Sequence, residues 1–268
     1  MAAYKLKLNV NKTKIMIFGP KATVSKTRKT FGTVTIGSTE LSLSETVRNL
    51  GVIFDQDLNF QAQLSAVIKS CNYSLYNLKH IKPYLPFKLF ISVVHQEVIS
   101  KLDYCNSLYL QLPKKQLRRL QMIINRCVRL IFGLPRTAHV TSYMKSRLHW
   151  LPIAARIDFK LILLTYKALN LQEPKYLVKS LLPTIREHRL KEHKPLGGHA
   201  FVKRSYHHSA PRLYNKVSHG LKSLKIEAFK KGVKSFFYRH SFERKLDSLL
   251  NYYPTATELS YHLPDCIK

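Results

Sequence analysis

From Leu58 onward the apolar residues of this chain recur every three or four positions. Phe60, Leu64, Val67, Ile68, Cys71, Leu75 and Leu78 fall on one helical face, Asp57 or Asn59 is available to cap the first turn, and Pro83 and Pro86 close the segment. A second helix is predicted from Phe87 to about Leu102, with Pro86 at its first turn. LDYCNSLYLQLP, Leu102–Pro113, reads as a bent connection. The next run, PKKQLRRLQMIINRCVRLIFG, is a third helix ended by Gly133 and Pro135. Trp150 and Pro152 lead into a strongly apolar helix from about Ala154 to Leu169. APRLYNKV and SLKIEAFKKGVKSFFYRHSF give two last helices, the latter burying Ile226, Phe229, Val233 and Phe236 or Phe237. Before Leu58 the period is two: KIMIF reads as a short strand, TFGTVTIGSTELSLS alternates around Gly37-Ser38, and NLGVIFD ends on Asp55 and Asp57. The predicted fold is α+β, with a small antiparallel β unit over 1–57 and a mainly helical body over 58–182. A basic, His-rich loop over 183–209, C-terminal helices over 210–250 and a frayed tail over 251–268 complete the expectation. No repeat of fixed period interrupts this order.

Composition changes the picture through charge alone. With 268 residues, 45% hydrophobic and 11% aromatic, the chain has the material for a core. Its 45 Lys+Arg against 15 Asp+Glu leave a net +30, a surplus that repels itself unless a polyanion neutralises it. An anionic membrane surface competes as the partner, but no polybasic segment sits beside an apolar anchor. The densest apolar run, Leu161-Ile162-Leu163-Leu164, is far short of the roughly 18 residues of a membrane span. MAAYKLKLNVNK has no apolar signal core, so the expectation is an intracellular protein, nuclear or cytoplasmic, neither secreted nor membrane-spanning. Cys71, Cys105, Cys127 and Cys266 are far apart and form no Cys-x-x-Cys pair, which argues against a zinc site or a disulfide framework.

The charge is also concentrated. At 100° per residue, Arg118, Arg119, Arg126 and Arg129 fall within about 60° of Lys115, opposite Leu117, Leu120, Ile124, Cys127 and Ile131. Between Asp103 and Asp158 there is no acidic residue, while Lys114, Lys115, Arg118, Arg119, Arg126, Arg129, Arg136, Lys145, Arg147 and Arg156 all lie in that interval. A solvated helix intersperses both signs, whereas a one-sign field attracts phosphate, and the arginine fork holds phosphate oxygens two at a time. The competing reading is a face that only solubilises. Tyr206, Tyr214 and Tyr238 stand among basic residues and are candidates for stacking on single-stranded bases, with core packing as the alternative.

Candidates for chemistry are few. Asp55 and Asp57 form the only close carboxylate pair, and directly before a helix such a pair reads as turn and cap rather than metal site. His207, His208, His188, His193 and His199 lack the cysteine or carboxylate partners of a closed metal site. There is no nucleophile elbow, phosphate loop or dinucleotide fingerprint. No catalytic residue, metal or cofactor is therefore expected.

Several stretches, taken in order, resemble a known family. LKLNVNKTKIMIFG, VRNLGVIFDQDLNF, SKLDYCNSLYLQLP with LRRLQMIINRCVRLIF, LHWLPIAARIDFKLILLTYKAL, and SAPRLYNKV with IEAFKKGVKSFFY resemble the C-terminal part of reverse transcriptases of LINE-type, jockey-like non-LTR retrotransposons, over roughly residues 4 to 240. The resemblance implies that the first segment is late palm, with Lys12 matching a palm lysine near the incoming nucleotide. The helices after Leu58 would be thumb and following region, gripping a template–primer duplex of RNA and DNA. The family's Tyr/Phe-x-Asp-Asp turn, fingers, endonuclease and zinc knuckle are not in this sequence. Two-metal phosphoryl transfer needs those carboxylates, so the expectation is a nucleic-acid-binding chain without polymerase activity of its own. The alternative is a C-terminal piece of a polymerase that works only with an upstream palm.

Overall fold

The computed structural model describes residues 9, 12–36, 39–110, 112–181, 189–192 and 205–240. They form an α+β protein that divides into two compact units, 1–66 and 67–268. Residues 37–38, 111, 182–188, 193–204 and 241–268 lie outside the described residues, and with them the Gly37-Ser38 break, most of the expected His-rich loop, His188, His193 and His199, the end of the expected 210–250 region and the expected tail.

The smaller unit contains helix α1 (Lys21–Thr30) and two separate hairpins, β1 (Thr33–Ile36) with β2 (Thr39–Ser42), and β3 (Thr46–Asn49) with β4 (Val52–Asp55). Val34 pairs with Leu41 and Val47 with Phe54. The β3–β4 turn places Leu50 and Gly51 at φ 45° and 82°, the doubly left-handed form that matches strand twist. Two expectations are corrected here. KIMIF is not a strand: Ile15 makes a single parallel bridge to Leu43. KATVSKTRKT, expected within strand and turn, is α1. It buries only Val24 and is held by Arg28, whose Nη1 meets Glu45 Oε1 at 2.8 Å while Nη2 donates to the Leu43 carbonyl at 3.3 Å. One buried apolar residue leaves no helical stripe to read.

Helix α2 (Gln61–Ile81) starts where turn chemistry dictates. Asp55 Oδ1 accepts the Asn59 N–H at 2.8 Å, and Asn59 Oδ1 accepts the Gln61 N–H at 2.8 Å. Asp55 thus has a local structural partner, as its position before a helix implied.

In the larger unit, α3 (Phe87–Val94) runs through a π turn at His95–Ile99 into α4 (Ser100–Asp103). There follow α5 (Lys114–Phe132), α6 (Thr141–Ser146), α7 (Ile153–Leu171), α8 (Lys175–Lys179), α9 (Tyr206–Tyr214), α10 (His219–Lys222) and α11 (Ile226–His240). The loop expected to reach residue 209 therefore gives way to helix at Tyr206. Helix α5 packs on α3 and α7, and α7 on α9 and α11. Leu120, Ile124 and Cys127 of α5, Ile153 of α7 and Phe229 of α11 are fully buried, and Phe237 rather than Phe236 completes the α11 face. Tyr166 stacks on Phe229 with ring centroids 3.9 Å apart and donates its hydroxyl to the Leu224 carbonyl at 2.5 Å. Gly232 lies against α10: a Cβ there would displace the end of the Leu221 side chain.

The two most distinctive stretches of the sequence meet in a partly buried ion pair. Asp103, in LDYCNSL, accepts from Arg156 Nη1 at 2.7 Å and from Asn106 Nδ2 at 3.3 Å, and Arg156 Nε donates to the Leu151 carbonyl at 2.9 Å. Burial pulls the Arg156 pKa down and Asp103 pulls it back up. This corrects the reading of a uniform positive field: Arg156 is neutralised inside the fold. Cys105, within the connection expected to bend, is half-exposed in a left-handed turn at φ 50°.

Burial raises the Cys71 thiol to about 11 and, with Cys71 beside it, the Cys127 thiol further still. Alkylation of the native protein near neutral pH is expected to modify Cys105 and spare Cys71 and Cys127 until unfolding. Mass spectrometry checks this; early labelling of Cys127 would contradict the packing of α5.

Lys222 is 5% exposed with its ammonium 4.6 Å from the Tyr214 ring centroid. Burial first, and Arg189 second, lower its pKa from 10.5 to about 8. Between those values the unfolded chain holds more protons than the folded one, so this group makes stability rise with pH across that window. Below it, the cost of burying the charge is fully present. Lys222→Met is therefore expected to be more stable than wild type at pH 7, by a margin that shrinks toward pH 10.5. Urea unfolding at several pH values measures the margin, and a constant margin would contradict the assignment.

Candidate nucleic-acid interface

Helix α5 has the largest separation of core and cationic faces in the chain, and its ends are set by the sequence. Pro113 precedes the first turn, and Gly133 at φ 66° closes the last in the left-handed conformation. Leu117, Leu120, Ile123, Ile124, Cys127, Val128 and Ile131 are buried. On the other side Lys114, Lys115, Arg118 and Arg126 are exposed, with Arg119 and Arg129 half-buried. The stripe inferred from 100° spacing thus exists as a surface. Met122 was missed by that reading: it lies 47% exposed in the middle of the stripe.

The charges differ in what they do. Among the described residues Lys115, Arg118 and Arg119 have no carboxylate partner. Arg126 Nη1 donates to Asn72 Oδ1 of α2 at 2.7 Å, a neutral acceptor that orients the guanidinium and leaves its charge in place. Arg129 is half structural, since its Nη2 donates to the Ala138 carbonyl at 3.1 Å and ties the following turn, with exposed Arg136, to the end of α5. Lys82 Nζ donates to the Leu130 carbonyl at 2.7 Å and so supports the negative end of the α5 dipole. At the other end the helix breaks that rule. Its first turn has no acidic residue and begins with Lys114-Lys115, cations placed on the positive pole.

Between α2 and α5 runs a shallow groove of about 300 Å³ lined by Asn72, Leu75, Tyr76, Lys79, Arg126 and Leu130. A second cleft, of about 420 Å³, lies where α11 meets the turn before α7. It is lined by His149, Lys231, Lys234, Ser235, Tyr238 and Arg239, without a carboxylate. His149 is held at φ 51°, with Nδ1 3.0 Å from the Tyr238 hydroxyl. The Tyr238 hydroxyl also meets the Lys145 carbonyl, which ties α11 to the end of α6. Arg147, two residues before His149, is exposed and is not among the residues that line this cleft.

Lys12 lies in the smaller unit. Its N–H donates to Asn9 Oδ1 at 3.2 Å and the Thr13 hydroxyl donates to the Asn9 carbonyl at 2.9 Å, so Asn9 is a local acceptor for both residues, with the Lys12 side chain exposed. Of the tyrosines considered for stacking, Tyr214 is buried and Tyr206 and Tyr238 are half-buried. Among the described residues the exposed aromatics are instead Phe18, Phe31, Tyr73, Tyr76, Tyr84, Phe87, Tyr104 and Tyr176, of which Tyr73 and Tyr76 stand on α2 beside the groove wall. His207 Nδ1 contacts the Ser180 carbonyl at 2.8 Å, and buried His208 faces Arg212 at 3.2 Å. Among the described residues no group of three His, Cys, Asp or Glu converges as a metal site, and no helix is long and apolar enough to cross a membrane. No family model, curated protein or solved structure matches the chain.

Proposed function

We propose that this chain is a sequence-independent nucleic-acid-binding protein derived from a non-LTR retrotransposon reverse transcriptase, acting through the cationic face of α5 and without polymerase activity of its own. The observation that carries the reading is the run of exposed Lys115, Arg118 and Arg126 with half-buried Arg119 among them, a one-sign stripe along one helix face. Side chains of this kind hold phosphate oxygens and carry no base code, so affinity follows phosphate number rather than sequence. Exposed Arg136 and Arg147, and Lys231, Lys234 and Arg239 in the second cleft, supply further positive surface for the same polyanion. The retrotransposon origin is supported by the order of the sequence stretches, and RNA, DNA and their hybrid are all admitted as partners.

The test sets labelled oligonucleotide against vesicles rich in anionic lipid. The reading predicts that the oligonucleotide binds irrespective of base sequence and that vesicles at matched charge concentration compete poorly. Preferential vesicle binding would favour the membrane surface and overturn the reading.

A further inference from the structure

Resting on that reading, we infer that the strand held at the α2–α5 groove is single-stranded, with its bases stacked on Tyr73 and Tyr76. This departs from the duplex that the family resemblance implies.

The two tyrosines are 69% and 65% exposed although they sit in a helix whose apolar face is otherwise buried at Leu64, Cys71 and Leu78. With Lys69 and His80 they occupy a continuous outer stripe of α2, because positions 69, 73, 76 and 80 are three or four residues apart. Tyr76 is fixed at the edge of the groove. Its ring packs edge-on against His80 at 4.6 Å, and the His80 Nδ1 sits 2.9 Å from the Tyr76 carbonyl. Across the groove Arg126 is oriented by Asn72, and Lys79 lines the same wall as Tyr76.

Arg126 on the α5 wall, and on α2 the ring of Tyr76 beside Lys79 with exposed Tyr73 one turn earlier, match the two halves of a nucleotide. Phosphates following α5 would lie against Arg118, Arg119 and Arg126, turning the bases toward α2. Tyr73 and Tyr76 are about 4.5 Å apart along the helix axis, a spacing that serves neighbouring bases of one strand. In a duplex the base faces are covered by the next pair, so these rings have nothing to stack on. On an unpaired strand every base offers a face, and stacking adds affinity without demanding sequence.

The experiment measures anisotropy of three labelled ligands of equal length: oligothymidylate, an abasic strand with the same phosphates, and a duplex. The proteins are the full chain, Tyr73→Ala/Tyr76→Ala and Tyr73→Phe/Tyr76→Phe. Wild type is expected to bind oligothymidylate more tightly than either other ligand. Loss of both rings should weaken oligothymidylate binding on the order of tenfold or more, with an unchanged salt slope and unchanged binding to the abasic strand. The phenylalanine variant should retain wild-type affinity. Equal wild-type affinity for thymidylate and abasic strands, or alanine replacement without effect, overturns the inference and leaves phosphate binding standing. Absence of binding to all three ligands overturns both.

Discussion

Replacing Lys115, Arg118, Arg119 and Arg126 together with glutamate is expected to abolish measurable nucleic-acid binding at physiological salt while leaving the fold intact. None of the four is buried, and Arg126 gives up only one hydrogen bond, to Asn72. Neutralised phosphates release counterions, so the log–log dependence of affinity on salt has a slope near −0.9 per contact on duplex and about −0.7 on single strands. Removing four contacts should make it shallower by about 3, before the repulsion added by four carboxylates is considered. Arg129 is left out because its bond to the Ala138 carbonyl makes it part of the packing. Anisotropy titrations at several salt concentrations report the slope, and circular dichroism reports the fold. A variant that binds as wild type would place the interface elsewhere, with the His149–Arg239 cleft the next surface to test.

The second large effect concerns stability. Asp103→Ala leaves the Arg156 guanidinium, 11% exposed, without its counter-charge, and Asp103 itself is 32% exposed. Losing one member of a buried pair costs about 3–5 kcal/mol, and the partial exposure of Asp103 places this case toward the lower end. Asp103→Ala combined with Arg156→Met should recover much of that loss, because what destabilises is the orphaned charge and not the missing attraction. Urea unfolding measures both. A single variant losing under about 1 kcal/mol would show that water already reaches the pair. Where Asp103→Ala remains folded, its salt slope for nucleic acid should match wild type, since Arg156 faces inward.

These two experiments separate cations that the sequence presented as alike. The α5 stripe was legible because a single period of 3.6 governs both its core and its charge. Arg156 was misread because its partner lies 53 residues away, and pairing at that range leaves no local pattern. The π turn at His95–Ile99 and the helix α1 escaped for related reasons: one keeps the helical pattern while shifting its register, and the other buries only Val24. Tyr73 and Tyr76 carried a readable signal. A tyrosine pair three residues apart, off the apolar face defined by Leu64, Cys71, Leu75 and Leu78, has no core to enter. The C-terminal tyrosines drew attention because basic residues surround them, yet neighbours in sequence do not decide burial: Tyr214 packs under Lys222.

LDYCNSL and LHWLPIAAR, which carry much of the family resemblance, owe their residue types to packing. Asp103, Asn106, the Leu151 carbonyl and Arg156 form one hydrogen-bonded knot between α4 and α7. Helix α5 packs on the same α7 that this knot anchors.

Cross-link mapping addresses the central claim most directly. A photoreactive oligonucleotide is irradiated on the full chain and the adducts are located by mass spectrometry. The account predicts adducts on α5, with exposed Met122 amid the arginines the foremost acceptor, and on α2 at Tyr73 and Tyr76. Adducts confined to other elements, with α5 unmodified, would contradict it.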